Sequence, residues 1–359
     1  MEEGSKTSNG FCRVGRSKPV MAMVMVAFSS AGMVLMSQFA LNHGMNNFVL
    51  VTYRHAFATL VLFPTAFILE RKDDRPKLTM AIFCYLFLSA LLGITMGLNL
   101  YYLGMNRTSA TFACSFNNLV PALTFFMASV FRVERVRING AEHRAKIAGT
   151  AICIAGAMIL TLYKGCRVKL WVTHDTSNNS KDLMKASRDS LDWTIGGIML
   201  MASSLCWSAW YIIQARISEK YPASFSTTAW TCFLGALQSA AVTLIFDHDF
   251  SAWKLGLDMN LLTVIYSGLV PSGIGFCIVF WCIRKRGPCF VTVFSPLIQI
   301  IVAILSPMIL AEHLHLGSIL GAVLIIGGLY AFVWGQSKQL LDQPDQCTVQ
   351  DIEPGEPRS

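Results

Sequence analysis

One stretch of this chain occurs twice. Residues 85–134 align with residues 263–312 without a gap, at a constant offset of 178. Gly97 falls on Gly275, Phe116 on Phe294, Leu119 on Leu297 and Glu134 on Glu312. The offset is 172 where Gly149 and Gly156 meet Gly321 and Gly328, and about 174 where Ser29 and Ser30 meet Ser203 and Ser204. Each copy holds five apolar segments of bilayer-spanning length. A tandem unit with an odd number of spans must enter the membrane in the opposite sense the second time. The duplication therefore points to two inverted helical bundles, an arrangement that many membrane transporters share.

Composition agrees. The hydrophobic fraction is 54% and the charged fraction 14%, against about 25% charged in a soluble domain. Mean hydropathy is +0.51. With about 20 helical residues needed per crossing, spans are predicted at 19–41, 48–69, 80–104, 108–131, 147–163, 193–215, 224–246, 259–282, 289–310 and 315–335. The expected fold is an all-α membrane protein, with ten transmembrane helices as two inverted five-helix repeats. Strict polar–apolar alternation is absent, which argues against a membrane β-barrel. The expected organisation is an N-terminal tail (1–18), a first repeat (19–163), a linker loop (164–191), a second repeat (192–336) and a C-terminal tail (337–359).

Lys and Arg crowd one side of this topology. The tail carries Lys6, Arg13, Arg16 and Lys18, and the loop after span 2 carries Arg71, Lys72, Arg75 and Lys77. Arg132, Arg135, Arg137, Arg144 and Lys146 follow span 4, Arg216 and Lys220 follow span 6, and Arg284, Lys285 and Arg286 follow span 8. The other side has Arg107, Lys254 and the dissenting loop 164–191, with six Lys or Arg. The positive-inside rule then places both termini in the cytoplasm. The net charge of +8 is accounted for by loops that meet anionic headgroups. No soluble segment is long enough for a basic nucleic-acid-binding face.

The first apolar segment lacks a small-residue cleavage site and reads as a retained helix. The eleven Cys lie mostly inside spans without metal-like pairing, as packing residues do. Neither a metal site nor a cofactor is expected. Asn178 opens an Asn-Asn-Ser sequon in a predicted outer loop. No HExxH, GxSxG, Walker A or helix-opening GxGxxG is present, and the expectation is a protein that is not an enzyme.

Polar groups inside a bilayer are costly and mark pathways or packing contacts. Span 4 carries Asn117, Pro121, Thr124 and Ala128 along one face. Its repeat mates on span 9 are Ser295, Gln299, Val302 and Ser306. Two such stripes facing each other across a pseudo-two-fold axis would line a central cavity. Asn99 on span 3, Asn118 beside Asn117, and Gln38 on span 1 join the candidate lining. Span 6 offers Ser203, Trp207 and Trp210 on one face; its rings suit an ammonium or an indole, with interfacial anchoring the alternative for Trp210.

Helix breakers fall at matching places. Gly93 and Gly97 of span 3 pair with Pro271 and Gly275 of span 8, while Pro121 of span 4 has Pro296 nearby on span 9. These are the candidate hinges, and close helix packing at glycine is the other use. Three residues are candidates for a charge role. Arg54 near the end of span 2 either attracts a solute carboxylate or snorkels to headgroups. Glu134 sits among arginines. Glu312 is a candidate proton carrier or a structural elbow.

Residues 53–77, 117–136, 149–165 and 295–337 together resemble the plant nodulin-like, Walls-Are-Thin-related transporters of the EamA branch of the drug/metabolite transporter superfamily. These are also called "usually multiple acids move in and out" transporters. Asn117-Asn118-Leu119-Val120-Pro121 carries two amides where the family pattern often has one, and Ala311 stands for its usual Gly. The resemblance implies ten helices, two EamA repeats and a central pathway. It further implies transport of small organic solutes such as amino acids, with auxin as the alternative and a non-transporting scaffold as the remote one. The lipid bilayer and one such solute are the expected partners, and proton coupling is an open option. The resemblance favours the plasma membrane over the vacuolar membrane. No oligomeric state is assigned.

Overall fold

The structure, a computed structural model, describes residues 3–70, 78–108, 113, 116–133, 141–162, 186–246, 253, 259–309 and 316–341. Among the described residues there is no strand. A helix lies on each of the ten expected spans. We label them α1 (Glu3–Asn42), α2 (Asn47–Leu69), α3 (Met80–Ser89, then a π-helical Ala90–Leu98, then Asn99–Arg107), α4 (Val120–Val130) and α5 (Ala141–Leu162). In the second half come α6 (Ala186–Lys220), α7 (Ser224–Phe246) and α8 (Met259–Ser267, a π-helical Gly268–Gly275, then Phe276–Arg286). A short Pro288–Thr292 helix precedes α9 (Ser295–Ile309), and α10 is Leu316–Leu341. Among the described residues, eight segments are long and apolar enough to cross a membrane, and Val120–Val130 is a shorter apolar helix.

Span 4 departs most from expectation. Expected as one helix over 108–131, it is broken: Ala113, Phe116 and Asn117 are helical, Asn118 and Leu119 form a turn, and Val120–Val130 is the helix that follows. Leu119 N donates to Phe116 O in a turn ahead of it, and Pro121 sits in its first turn. A proline there loses no hydrogen bond, because first-turn N–H groups have no intrahelical acceptor. Pro296 is likewise the second residue of α9. Both prolines therefore follow a break in their span, with helical residues on either side of it. At α5 the helix starts at Ala141, ahead of the expected 147. Arg144 and Lys146 thus belong to a helix and not to a loop, and Lys146 Nζ stands 5.7 Å over the Phe332 ring of α10.

The two halves meet through residues that are mates in the repeat. On α5 and α10, a Cβ added at Gly149 would lie 2.6 Å from Gly328 O, and one added at Gly156 would lie 2.9 Å from Gly321 O. Rising numbers on one helix meet falling numbers on the other, so the pair runs antiparallel. Shifting each residue by 172 maps this contact onto itself. Cys153 Sγ, at 3.4 Å from Ile325 O, marks the point where a residue meets its own mate. Glycine permits this approach because nothing projects from Cα.

The α2–α7 pair behaves the same way: Thr52 meets Thr243 at one end, Phe63 packs on Trp230 and Phe233 in the middle, and Glu70 meets Phe225 at the other. Reciprocal contacts complete the pattern. Helix α6 packs on α3 and α4, while α1 packs on α8 and α9.

Glu70 caps α7 from outside that helix. Its carboxylate accepts from Phe225 N at 2.8 Å and Ser226 N at 3.1 Å, and also from Ser226 Oγ. A helix N-terminus holds a negative charge well. Glu70→Ala is expected to cost about 1–2 kcal/mol, read as a lower thermal midpoint of the detergent-solubilised protein. An unchanged midpoint would show that the cap is dispensable.

Candidate functional site

The π-helical segments begin at Ala90 and Gly268, which are repeat mates at the offset of 178. A π turn widens the helix, and such turns gather at functional sites. Here they are built against aromatic faces. A Cβ at Gly93 would fall 2.3 Å from Trp210 Cδ1, and one at Gly97 would fall 3.3 Å from Trp207 Nε1. Ser203 Oγ donates to Gly97 O at 2.7 Å. Glycine on α3 thus lets the two α6 indoles lie directly on the π-helical backbone.

Trp210 is 2% exposed and central to an aromatic cluster. Its ring lies 5.5 Å from Trp207, 4.9 Å from Tyr211 and 5.3 Å from Phe276 of α8. Phe276 in turn stands 6.4 Å from His55 of α2. Edge-to-face and tilted contacts of this kind are favourable for quadrupolar rings.

Arg54 is 5% exposed. It does not snorkel. Its Nε donates to Ser272 Oγ in the π-helical segment of α8, and the Tyr102 hydroxyl of α3 and Cys232 of α7 lie within electrostatic reach. No carboxylate pairs with it among the described residues. Four helices from both repeats therefore enclose one guanidinium.

Several buried polar atoms nearby have no partner among the described residues: His55 Nε2, Asn99 Oδ1 and Trp210 Nε1. His55 Nδ1 lies 2.8 Å from Val51 O. A carbonyl only accepts, so Nδ1 carries the proton, and Nε2 of the neutral ring is an acceptor. Unsatisfied polar atoms in a dry interior are expensive, and they call for an explanation.

The structure gathers some of the expected residues and leaves others apart. Trp210 and Trp207 lie on Gly93 and Gly97 of the π-helical segment of α3, and Asn99 directly follows that segment. Pro271 lies in the π-helical segment of α8 and Gly275 ends it. Ser203 is buried and donates to Gly97 O, which leaves its hydroxyl oxygen as an acceptor. Ahead of α4, Asn117 is exposed and Asn118 is buried with its amide unpartnered, and on α4 Thr124 is buried with its hydroxyl unpartnered. Ser295 and Gln299 are half-buried on α9, and Ser295 lies within reach of the Tyr211 hydroxyl of α6. Gln38 is half-buried on α1.

The turn before α4 is held by α6, where Ser204 Oγ donates to Phe116 O at 2.9 Å and Ser208 Oγ to Val120 O at 3.3 Å. Glu134, Glu312 and Asn178 lie outside the described residues. No metal-ligating cluster is found among the described residues. Ser272 and Phe276 were missed in sequence; the signal was present in the breaker run Pro271-Ser272-Gly273.

The model of the EamA-like transporter family matches residues 17–162 and 194–334. WAT1-related protein At5g07050 of Arabidopsis thaliana is 44% identical over 343 residues, covering 94% of this chain and 85% of that protein. WAT1-related protein At4g08300 of the same plant is 41% identical over 342 residues, with 95% and 91% covered. Protein WALLS ARE THIN 1, also of Arabidopsis thaliana, is 41% identical over 323 residues, with 89% and 83% covered. A solved crystal structure at 17% identity superposes with a TM-score of 0.65, covering 88% of this chain and 96% of its own; it speaks to the fold alone.

Proposed function

The chain belongs to the EamA-like transporter family, among its WAT1-related plant members, and from that premise we propose that it carries small organic solutes, amino acids first, by alternating access between its two repeats. One observation carries the reading. Unpartnered buried polar atoms converge where helices of the two repeats are interrupted at equivalent positions. Paired interruptions at mid-depth are where inverted-repeat transporters bind their solutes. The aromatic cluster of Trp207, Trp210 and Phe276 favours a second solute, a flat-ringed acid of the auxin type. The proposal places both termini in the cytoplasm, the protein in the plasma membrane, and the hinges at Gly93, Gly97, Pro271 and Gly275.

Uptake of labelled glutamine and labelled indole-acetic acid into proteoliposomes, at two external pH values, tests it. Saturable flux of either is the expected result, and acid-stimulated flux would add proton coupling. Correctly folded protein that moves no solute of a broad panel would leave the scaffold reading in place.

Asn99→Ala separates binding from stability. Its Oδ1 has no partner to lose, so the thermal midpoint should hold or rise, while uptake falls about tenfold through loss of roughly one hydrogen bond to the solute. A lowered midpoint with unchanged uptake per folded molecule would remove Asn99 from the lining.

A further inference from the structure

We infer that Arg54 and Ser272 form a carboxylate receptor, which makes the solute an organic acid or zwitterion anchored between α2 and α8. The inference rests on the transport reading for its setting and deepens it with a named anchoring group.

A guanidinium presents five N–H donors in a planar fork. One, on Nε, is used by Ser272 Oγ. The other four, on Nη1 and Nη2, have no protein acceptor among the described residues. A cation enclosed at 5% exposure without a counter-charge is among the costliest arrangements a protein can keep. Snorkelling does not relieve it, because the side chain turns to the π-helical segment of α8 and not to an interface. The fork matches two carboxylate oxygens at once, and such bidentate pairs are both strong and directional. Its fixed partner, Ser272, belongs to the second repeat and Arg54 to the first, so an anion bound there would touch both halves.

The surroundings orient the remainder of the solute. Asn99 lies about one turn before Tyr102 on α3, on the same face, and Tyr102 neighbours Arg54. Asn99 Oδ1 and His55 Nε2 are acceptors without donors, placed to take an N–H of the solute. Phe276 lies four residues beyond Ser272, roughly one turn and about 5 Å along α8, and leads to Trp210. The acid group is held at Arg54 and the rest of the solute rests against the rings.

The test uses four compounds on the full-length protein: glutamine, its α-carboxamide, indole-acetic acid and indole-acetamide. Competition of labelled uptake and thermal-shift titration are read side by side, because the second needs no flux. In wild-type protein the acids should outcompete and outstabilise their amides by about 10–100-fold in concentration, the value of one charge-assisted contact. In Arg54→Gln that preference should collapse to within about twofold, and Arg54→Lys should restore only part of it.

Equal action of acids and amides on wild-type protein overturns the receptor without needing any variant to fold, and so does an acid preference that persists in Arg54→Gln. Acids that bind through Arg54 without flux uphold the receptor and overturn transport. Flux with no acid preference does the reverse. Four compounds that neither bind nor move overturn both.

Discussion

Alanine at Gly149 is expected to cost the fold about 2–3 kcal/mol, and alanine at Gly327 nothing measurable. The new methyl at Gly149 would stand 2.6 Å from Gly328 O and 2.6 Å from Phe332 N. Both are main-chain atoms, so no rotamer change relieves the clash. Helices α5 and α10 must separate, and with them the contact that maps onto itself under the repeat. Gly328 meets Cys153 N and Gly149 O at 2.7 Å in the same way. The Gly149→Ala/Gly328→Ala double variant should therefore cost less than the sum of the singles, because the first separation makes room for the second methyl. At Gly327 nothing lies within 4 Å, and alanine there favours the helix. Thermal unfolding in one detergent compares all four proteins. Equal midpoints for Gly149→Ala and Gly327→Ala would show that the two helices do not touch as described.

The second large effect falls on transport. Gly93→Ala places a methyl 2.3 Å from Trp210 Cδ1. The indole is 2% exposed and hemmed in by Trp207, Tyr211 and Phe276, so it moves only by displacing a neighbour. Displacement of Phe276 reaches the ring of His55, the chain neighbour of Arg54. An overpacking strain of about 1–3 kcal/mol corresponds to a drop in uptake of about 5–100-fold if it is borne by the solute-bound state. Trp210→Phe, with its smaller ring, should restore part of the flux when combined with Gly93→Ala, although alone it lowers uptake. Gly93→Ala with full uptake, or a double variant worse than both singles, would refute the platform.

Much of the fold was legible in the chain because its signals are local. Apolar runs of about 20 residues announce helices whatever packs around them. Gly93, Gly97, Pro271 and Gly275 marked the interruptions at matched positions, and the π-helical segments begin at mated residues. Pro121 and Pro296 each follow a break in their span. A proline is compatible with a kink or with a break, and in span 4 the break is held from outside, by Ser204 and Ser208 of α6 bonded to Phe116 O and Val120 O. Asn117 and Asn118 illustrate the same limit. Adjacent residues with one chemistry end up exposed and buried, a difference set by the neighbours that tertiary packing brings.

The sequence alone determined that two antiparallel bundles form, since an odd-numbered unit repeated in tandem leaves a membrane chain no other topology. It determined where those bundles are interrupted, since glycine and proline act on their own backbone. Arg54 was a different matter. In one dimension it is a cation near the end of an apolar helix, a place where such a residue more often serves headgroups than a site. Tertiary structure chose between them, because the groups that enclose it, Tyr102, Cys232 and Ser272, come from three other helices on both repeats. Burial is a property of neighbours, and neighbours 48 to 218 residues away in the chain leave no mark on the local pattern.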